Sequence, residues 1–191
     1  MKKLSVIVLA CIIPMLLPAQ TSSDPIYGFG AVPEVDGNVV FERHLNVPDN
    51  ASKTAIFKAV SRWAAERFAK PRVISGTIRE MSDKITVNAE EVLTFKKTKF
   101  VTDESNINYR LTIDLDDGKC SFRITNINYD YEEHRDGGGL RFTAESWITD
   151  KEAFNRRGKM LRTTAKFRVM TINLVNMLES SLNETLSSVT E

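Results

Sequence analysis

The sequence predicts a single α+β domain: an antiparallel β-sheet in strand, helix, strands, helix order, with the helices packed on one sheet face. Three observations carry this reading. The apolar period is two through most of residues 72–148, and it is helical in one segment before and one segment after that stretch. The breaks between the alternating runs are short and rich in Gly, Asp, Asn and Ser. In Tyr109-Arg110-Leu111-Thr112-Ile113-Asp114-Leu115 the odd positions are apolar and the even ones polar, so one face of the sheet is covered and the other wet.

Taken in order, the first element is an export signal. Lys2 and Lys3 form a positive n-region, residues 4–17 are apolar apart from Ser5 and Pro14, and Ala19 is a small residue at the point of cleavage before Gln20. The apolar run, about 14 residues, falls short of the roughly 20 that a membrane span needs. Residues 1–19 are therefore read as a signal peptide cleaved after Ala19, leaving no transmembrane span in the mature form. Val8-Leu9-Ala10-Cys11 offers a competing lipoprotein route through Cys11, but six further residues, Ile12 to Leu17, follow without the polar tether such an anchor uses. Cleavage after Ala19 is favoured.

Without the signal, about 170 residues remain, one domain by length. The chain's 26 basic side chains, less Lys2 and Lys3, stand against 25 acidic ones, a balance of −1. A near-neutral exported domain has no broad electrostatic reason to hold nucleic acid. Cys120 is the single cysteine outside the signal, so no disulfide forms within the mature chain.

Residues 20–37, rich in Pro, Gly and small side chains, read as a flexible leader, and residues 38–190 as the domain. Phe41, Arg43, Leu45 and Val47 alternate with Glu42, His44 and Asn46 in a half-buried strand that Pro48 ends. A helix follows over residues 52–68. Ser52 caps it, Ile56, Phe57, Val60, Trp63, Ala64 and Phe68 share one face, Arg62, Glu66 and Arg67 lie elsewhere, and Pro71 stops it. Trp63 at this spacing is a core residue rather than a stacking platform.

Strands are expected over residues 73–79, 85–89, 93–100, 107–115, 119–131 and 140–148. In the fifth, Phe122 and Ile124 lie in one phase and Ile127, Tyr129 and Tyr131 in the other, so a bulge near Thr125-Asn126 is required. Thr149-Asp150 opens a helix that Gly158 interrupts. Residues 159–189 resume it with Ile172, Val175, Leu178, Leu182, Leu186 and Val189 on one stripe.

Few side chains read as a site. In "IDLDDGKC" a calcium loop beginning at Asp114 would need glycine where Lys119 stands and glutamate where Thr125 stands. Asp117-Gly118 between two alternating runs reads instead as a hairpin turn. His44 lies on a polar strand phase and His134 in a charged link, with no metal-ligand spacing around either. His134-Arg135-Asp136 copies a kinase tripeptide without the rest of that motif. Gly137-Gly138-Gly139 precedes a strand, as a hairpin connection does and a phosphate loop does not. Lys96, Lys97 and Lys99 read as guards on an edge strand, and Cys120 points into the core with Phe122 and Ile124. No catalytic, cofactor or metal residues are assigned.

The segments "VVFERHLNVPDNASKTAIFKAVSRWAAERF" and "INYRLTIDLDDGKCSFRITNINYDYEE" together resemble the bacterial domain-of-unknown-function family 4468, described as having a TATA-binding-protein-like (TBP-like) fold. The resemblance rests on Val47-Pro48, Ser52-Lys53, Trp63, the Asp117-Gly118-Lys119 hairpin, Phe122, Ile124, Ile127 and Tyr129, and covers about residues 32–131. It implies a curved antiparallel sheet backed by helices in exported proteins, and it implies no reaction. A fold label does not transfer function.

The expectation is a non-catalytic binding or assembly module of the bacterial envelope (periplasm, outer surface or medium). Its partner would be an envelope protein, peptide or glycan, held by an edge strand or by the exposed face at Arg110, Thr112 and Asp114. Two alternatives stand beside it: a small hydrolase or lyase using Asp114, Asp116 or Glu145 with His44, and a structural protein that oligomerises through its C-terminal helix.

Overall fold

The computed structural model describes residues 24–132 and 138–189. The segment expected to be a signal peptide, with Cys11 and Ala19, the first residues of the expected leader, and His134 to Gly137 lie outside the described residues. Among the described residues no helix is long and apolar enough to cross a membrane.

A short 3-10 turn (Pro25–Tyr27) leads into a small hairpin of β1 (Glu34–Val35) and β2 (Asn38–Val39). β3 (Phe41–Leu45), α1 (Lys53–Arg67), β4 (Val73–Met81), β5 (Lys84–Lys97), β6 (Thr102–Asp116), β7 (Lys119–Tyr131) and β8 (Leu140–Thr143) follow, then the short α2 (Asp150–Ala153) and the long α3 (Arg162–Ser187). The six-stranded sheet has the order β3-β7-β6-β5-β4, with β8 also paired to β7, and every pairing is antiparallel. Both long helices pack on one face: Ile56, Val60, Trp63, Ile172, Val175, Leu178, Leu182, Leu186 and Val189 are buried against Ile85, Val87, Leu111, Ile113, Phe122 and Ile124. The α+β class, an antiparallel sheet with its helices on one face, is as the periodicities predict.

Local chemistry explains the joints. Ser52 Oγ accepts from Ala55 N at 3.3 Å, and Asp117 Oδ1 accepts from Lys53 N at 2.8 Å. Both sit on otherwise unpaired amides in the first turn of α1. Gly118 N donates to Ala51 O at 3.1 Å, so the β6–β7 turn, with Gly118 at φ 63°, is also the clamp on the helix start. The predicted bulge is present. Asn108 pairs Asn128 and Arg110 pairs Thr125, so Asn126 and Ile127 together oppose Tyr109, and Asn126 takes φ 54°.

Four expectations change. Residues 24–37 are not a flexible leader but part of the packed fold. Tyr27 and Val32 are buried, Tyr27 OH donates to Asn173 Oδ1 at 2.8 Å, and Asp36-Gly37 turns the first hairpin with both φ angles positive. The strands expected at 85–89 and 93–100 are one strand, β5, because Glu91 stays in phase on the core side rather than breaking the run. The strand expected over 140–148 ends at Thr143, where Thr143 and Ser146 exchange side chain–backbone hydrogen bonds and turn the chain. Arg67, expected on the solvent side of α1, is buried.

Candidate functional site

The helix-free sheet face carries the predicted contact residues. Arg110 is exposed, and Thr112 and Asp114 are half-buried on β6. Each stands in a cross-strand row: Arg110 between Asn88 and Thr125, Thr112 between Thr86 and Arg123, Asp114 between Lys84 and Ser121. Arg110 Nε donates to Asn88 Oδ1 at 3.0 Å, while Asp114 accepts from Arg123 Nη2 at 3.1 Å and faces Lys84 Nζ at 3.3 Å. These are short-range pairs at the surface, each worth a few tenths of a kcal/mol to about 1 kcal/mol. They hold the side chains in register across the face.

The two sheet edges differ. On the β3 side, Asn183 Oδ1 accepts from Asn46 N at 2.8 Å, Glu145 Oε1 accepts from Val39 N at 2.9 Å, and Arg43 Nε meets Glu179 at 3.0 Å. Helix α3 and the segment after β8 thus bind the chain at both ends of β3, a five-residue strand whose one ladder partner among the described residues is β7. On the opposite side β4 pairs only with β5, and Ile74 and Met81 are 52% and 58% exposed. Lys96 and Lys97 sit at the end of β5, which pairs with β6 there; they lie beyond the last β4 partner, at Glu91. Their strand is an edge only over that end.

The residues of the carboxylate–histidine alternative are partly gathered. His44, Asp114 and Asp116 border one open depression of about 580 Å³. His44 and Asp114 both oppose Ser121, which sets them two strands, about 10 Å, apart. His44 and Asp116 are exposed, and Glu145 lies elsewhere, on the amide of Val39. Cys120, in the floor, is buried and its thiol is pushed up to about 12, by burial first and by Asp114 second, so it is protonated at neutral pH and a poor nucleophile. Among the described residues no cluster of His, Cys, Asp and Glu is arranged to hold a metal ion.

The C-terminal helix does not present a free apolar stripe. Ile172, Val175, Leu178, Leu182, Leu186 and Val189 are all buried on the chain's own sheet, and Trp63 Nε1 donates to Ser181 Oγ at 2.9 Å to hold α1 against α3.

A second site was not foreseen from the sequence. Arg67, at the last turn of α1, and Glu91, on the core side of β5, form a buried pair with Nη2 to Oε2 at 2.6 Å. Tyr109 OH donates to the other carboxylate oxygen, Glu91 Oε1. Burial, and then the Glu91 charge, raise the Tyr109 hydroxyl well above its ordinary value, so it remains a donor. The groove above this pair, between α1, β5 and α3, measures about 440 Å³. The signal was present in the sequence. Glu91 is in phase with Val87, Ala89 and Leu93, and Arg67 is in phase with Val60, Trp63 and Ala64.

Comparison with known proteins agrees with the sequence resemblance. The family model described as domain of unknown function (DUF4468) with TBP-like fold matches residues 41–130. A crystal structure of a DUF4468 family protein from Bacteroides ovatus is similar at 28% identity with a TM-score of 0.77, over 86% of this chain and 95% of that one. A TBP-like protein from Parabacteroides distasonis is similar at 20% identity with a TM-score of 0.69, over 83% of this chain and 99% of that one. No protein of curated function matches the chain.

Proposed function

We propose that this protein, built on a DUF4468 domain with the TBP-like fold, is an exported, non-catalytic binding module of the bacterial envelope. Its partner is an extended peptide segment that adds to the sheet at β4. The observation that carries the reading is the asymmetry of the edges. Both end strands pair on one side only among the described residues, but β3 is five residues long and fastened at its two ends by Glu145 and Asn183, whereas β4 runs nine residues and exposes Ile74 and Met81. Natural sheets blunt long open edges, and an edge left open is a template for strand addition. Main-chain hydrogen bonds would supply affinity. The polar rows that run across the same face from Lys84, Thr86 and Asn88 on β5 to Asp114, Thr112 and Arg110 on β6, one and two strands inward of β4, would discriminate among the peptide's side chains.

Export is supported by the layout of residues 1–19, and the separation of His44, Asp114 and Glu145 favours binding over the carboxylate–histidine chemistry. No observation favours the hydrolase or the helix-mediated assembly over this reading.

Two experiments test it. N-terminal sequencing of protein recovered from the envelope fraction should begin at Gln20; an unprocessed chain found only in the cytoplasm refutes export. An array of nine-residue peptides should contain binders that are lost when alternate backbone amides are N-methylated, and that weaken with Thr77→Pro in β4 and with Arg110→Ala plus Thr112→Ala. Binders indifferent to all of these changes refute the strand-addition site.

A further inference from the structure

The groove over Arg67 and Glu91 carries an inference independent of the β4 edge. We propose that it is a binding site for a small amphipathic carboxylate, its apolar chain lying between Leu93, Met170, Leu174 and Met177 and its head group directed toward Arg67, Lys70 and Arg72.

The argument starts from an unpartnered donor. Arg67 is 5% exposed, and its Nε finds no hydrogen-bond acceptor among the described residues. A buried donor left unsatisfied has given up its water without gaining an acceptor in return. Glu91 accepts from Arg67 Nη2 and from Tyr109 OH, but neither of its oxygens forms a hydrogen bond with Nε. The guanidinium is a planar fork with five N–H donors, and a carboxylate is the group whose two oxygens match it.

Charge sets the sign of the ligand. Arg67, Lys70 and Arg72 line the groove against the single carboxylate of Glu91, so the site has an excess of positive charge before any ligand enters. Arg72 is held in place at the lip, its Nη2 donating to Thr94 Oγ1 at 3.1 Å. A neutral head group would leave that excess unanswered.

Shape sets the rest. The groove's volume, about 440 Å³, falls in the range of roughly 300–1,000 Å³ typical of small-molecule sites. At about 30 Å³ for a water-sized group, it has room for a medium-length chain. Two of its wall residues are methionines, whose unbranched thioethers adapt to a flexible chain. Met177 is 43% exposed, which leaves an entrance on the α3 side.

The test uses the full mature chain with dodecanoate as probe, and dodecanol and acetate as the head-group and chain controls, measured by titration calorimetry. Dodecanoate is expected to bind at one site per chain, at least about tenfold more tightly than either control, a difference of about 1.4 kcal/mol. Arg67 is itself structural, so the variants are made at the rim. Lys70→Glu and Met177→Lys should each weaken dodecanoate about tenfold or more, with the circular dichroism spectrum unchanged. Peptide binding at β4 should not respond to Met177→Lys, so failure of one site is distinguishable from failure of the other. The proposal is overturned if dodecanoate does not bind the folded chain, if dodecanol binds as tightly, or if both rim variants bind it as the wild type does.

Discussion

Arg168 Nη2 donates to Asp150 Oδ1 at 2.7 Å, which ties α3 to α2 through a guanidinium with no exposed surface. The same fork donates through Nε to Tyr27 O at 2.8 Å, through Nη1 to Ile148 O at 2.6 Å, and to the carbonyl of Gly28. Asp150 Oδ2 in turn accepts from Gly30 N at 2.7 Å. One arginine therefore answers backbone carbonyls from two distant segments and fastens residues 24–30 to the domain.

Arg168→Met should cost about 3–5 kcal/mol, the usual penalty for removing one partner of a buried charged network. Lysine has a point charge in place of the planar fork, so Arg168→Lys should recover only a minor part. Urea unfolding reads the loss, and hydrogen exchange should show residues 24–39 opening first. A variant with wild-type protection in that segment would show that Arg168 does not hold it.

The start of α1 has two caps of different origin, Ser52 from its own segment and Asp117 from the β6–β7 turn. Ser52→Ala and Asp117→Ala should each lower stability by about 1 kcal/mol. Gly118→Ala should add a loss of similar size, because Gly118 has φ 63° and alanine pays for a left-handed backbone. Chemical denaturation of the three single variants checks this. An Asp117→Ala variant as stable as the wild type would mean that the turn does not clamp the helix.

The bulge makes a sharper demand on one residue. Asn126 occupies φ 54°, a region that asparagine and glycine tolerate and β-branched residues do not. Asn126→Gly should be nearly neutral, and Asn126→Val should cost about 1–2 kcal/mol. Thermal melts that rank valine equal to glycine would contradict a left-handed residue there.

Alkaline stability should depend on Cys120. Its thiol ionises near 9.0 when unfolded and at about 12 when folded, because burial disfavours the thiolate. Between those values the unfolded chain has released the proton and the folded one has not. This contribution is therefore complete below pH 9.0 and is lost as pH rises toward 12, with a limiting slope of about 1.4 kcal/mol per pH unit. Tyr109 and Tyr129, both raised mainly by burial, act in the same direction from pH 10.0 upward. Stability measured from pH 8 upward should fall less steeply for Cys120→Ala than for the wild type. Equal slopes would contradict the shift.

Much of the fold was legible because its signals are local. The alternation of β6 and β7, the stripe of α3, the Ser52 cap, the Asp117-Gly118 turn and the bulge at Asn126 each depend on residues a few positions apart. Errors arose where a run was too short or carried a charge. The β1–β2 hairpin has two residues on each side of its turn, too few to show a period. Glu91 looked like an interruption because a carboxylate in an apolar phase has no local explanation. The predicted open face was found on the side away from the helices, but nothing along the chain said which strands would end the sheet.

What the sequence by itself determined was which face of each element is apolar, where each helix and turn begins, and hence the α+β class; periodicity and capping are properties of neighbours. Only the tertiary structure decided that Arg67 meets Glu91 across 24 positions, that Arg168 reaches Tyr27 across 141, and that the nine-residue β4 stands at the end of the sheet. Charge compensation and edge protection are settled between segments far apart in the chain. A buried charge announces only that it needs a partner, and the fold alone selects the partner.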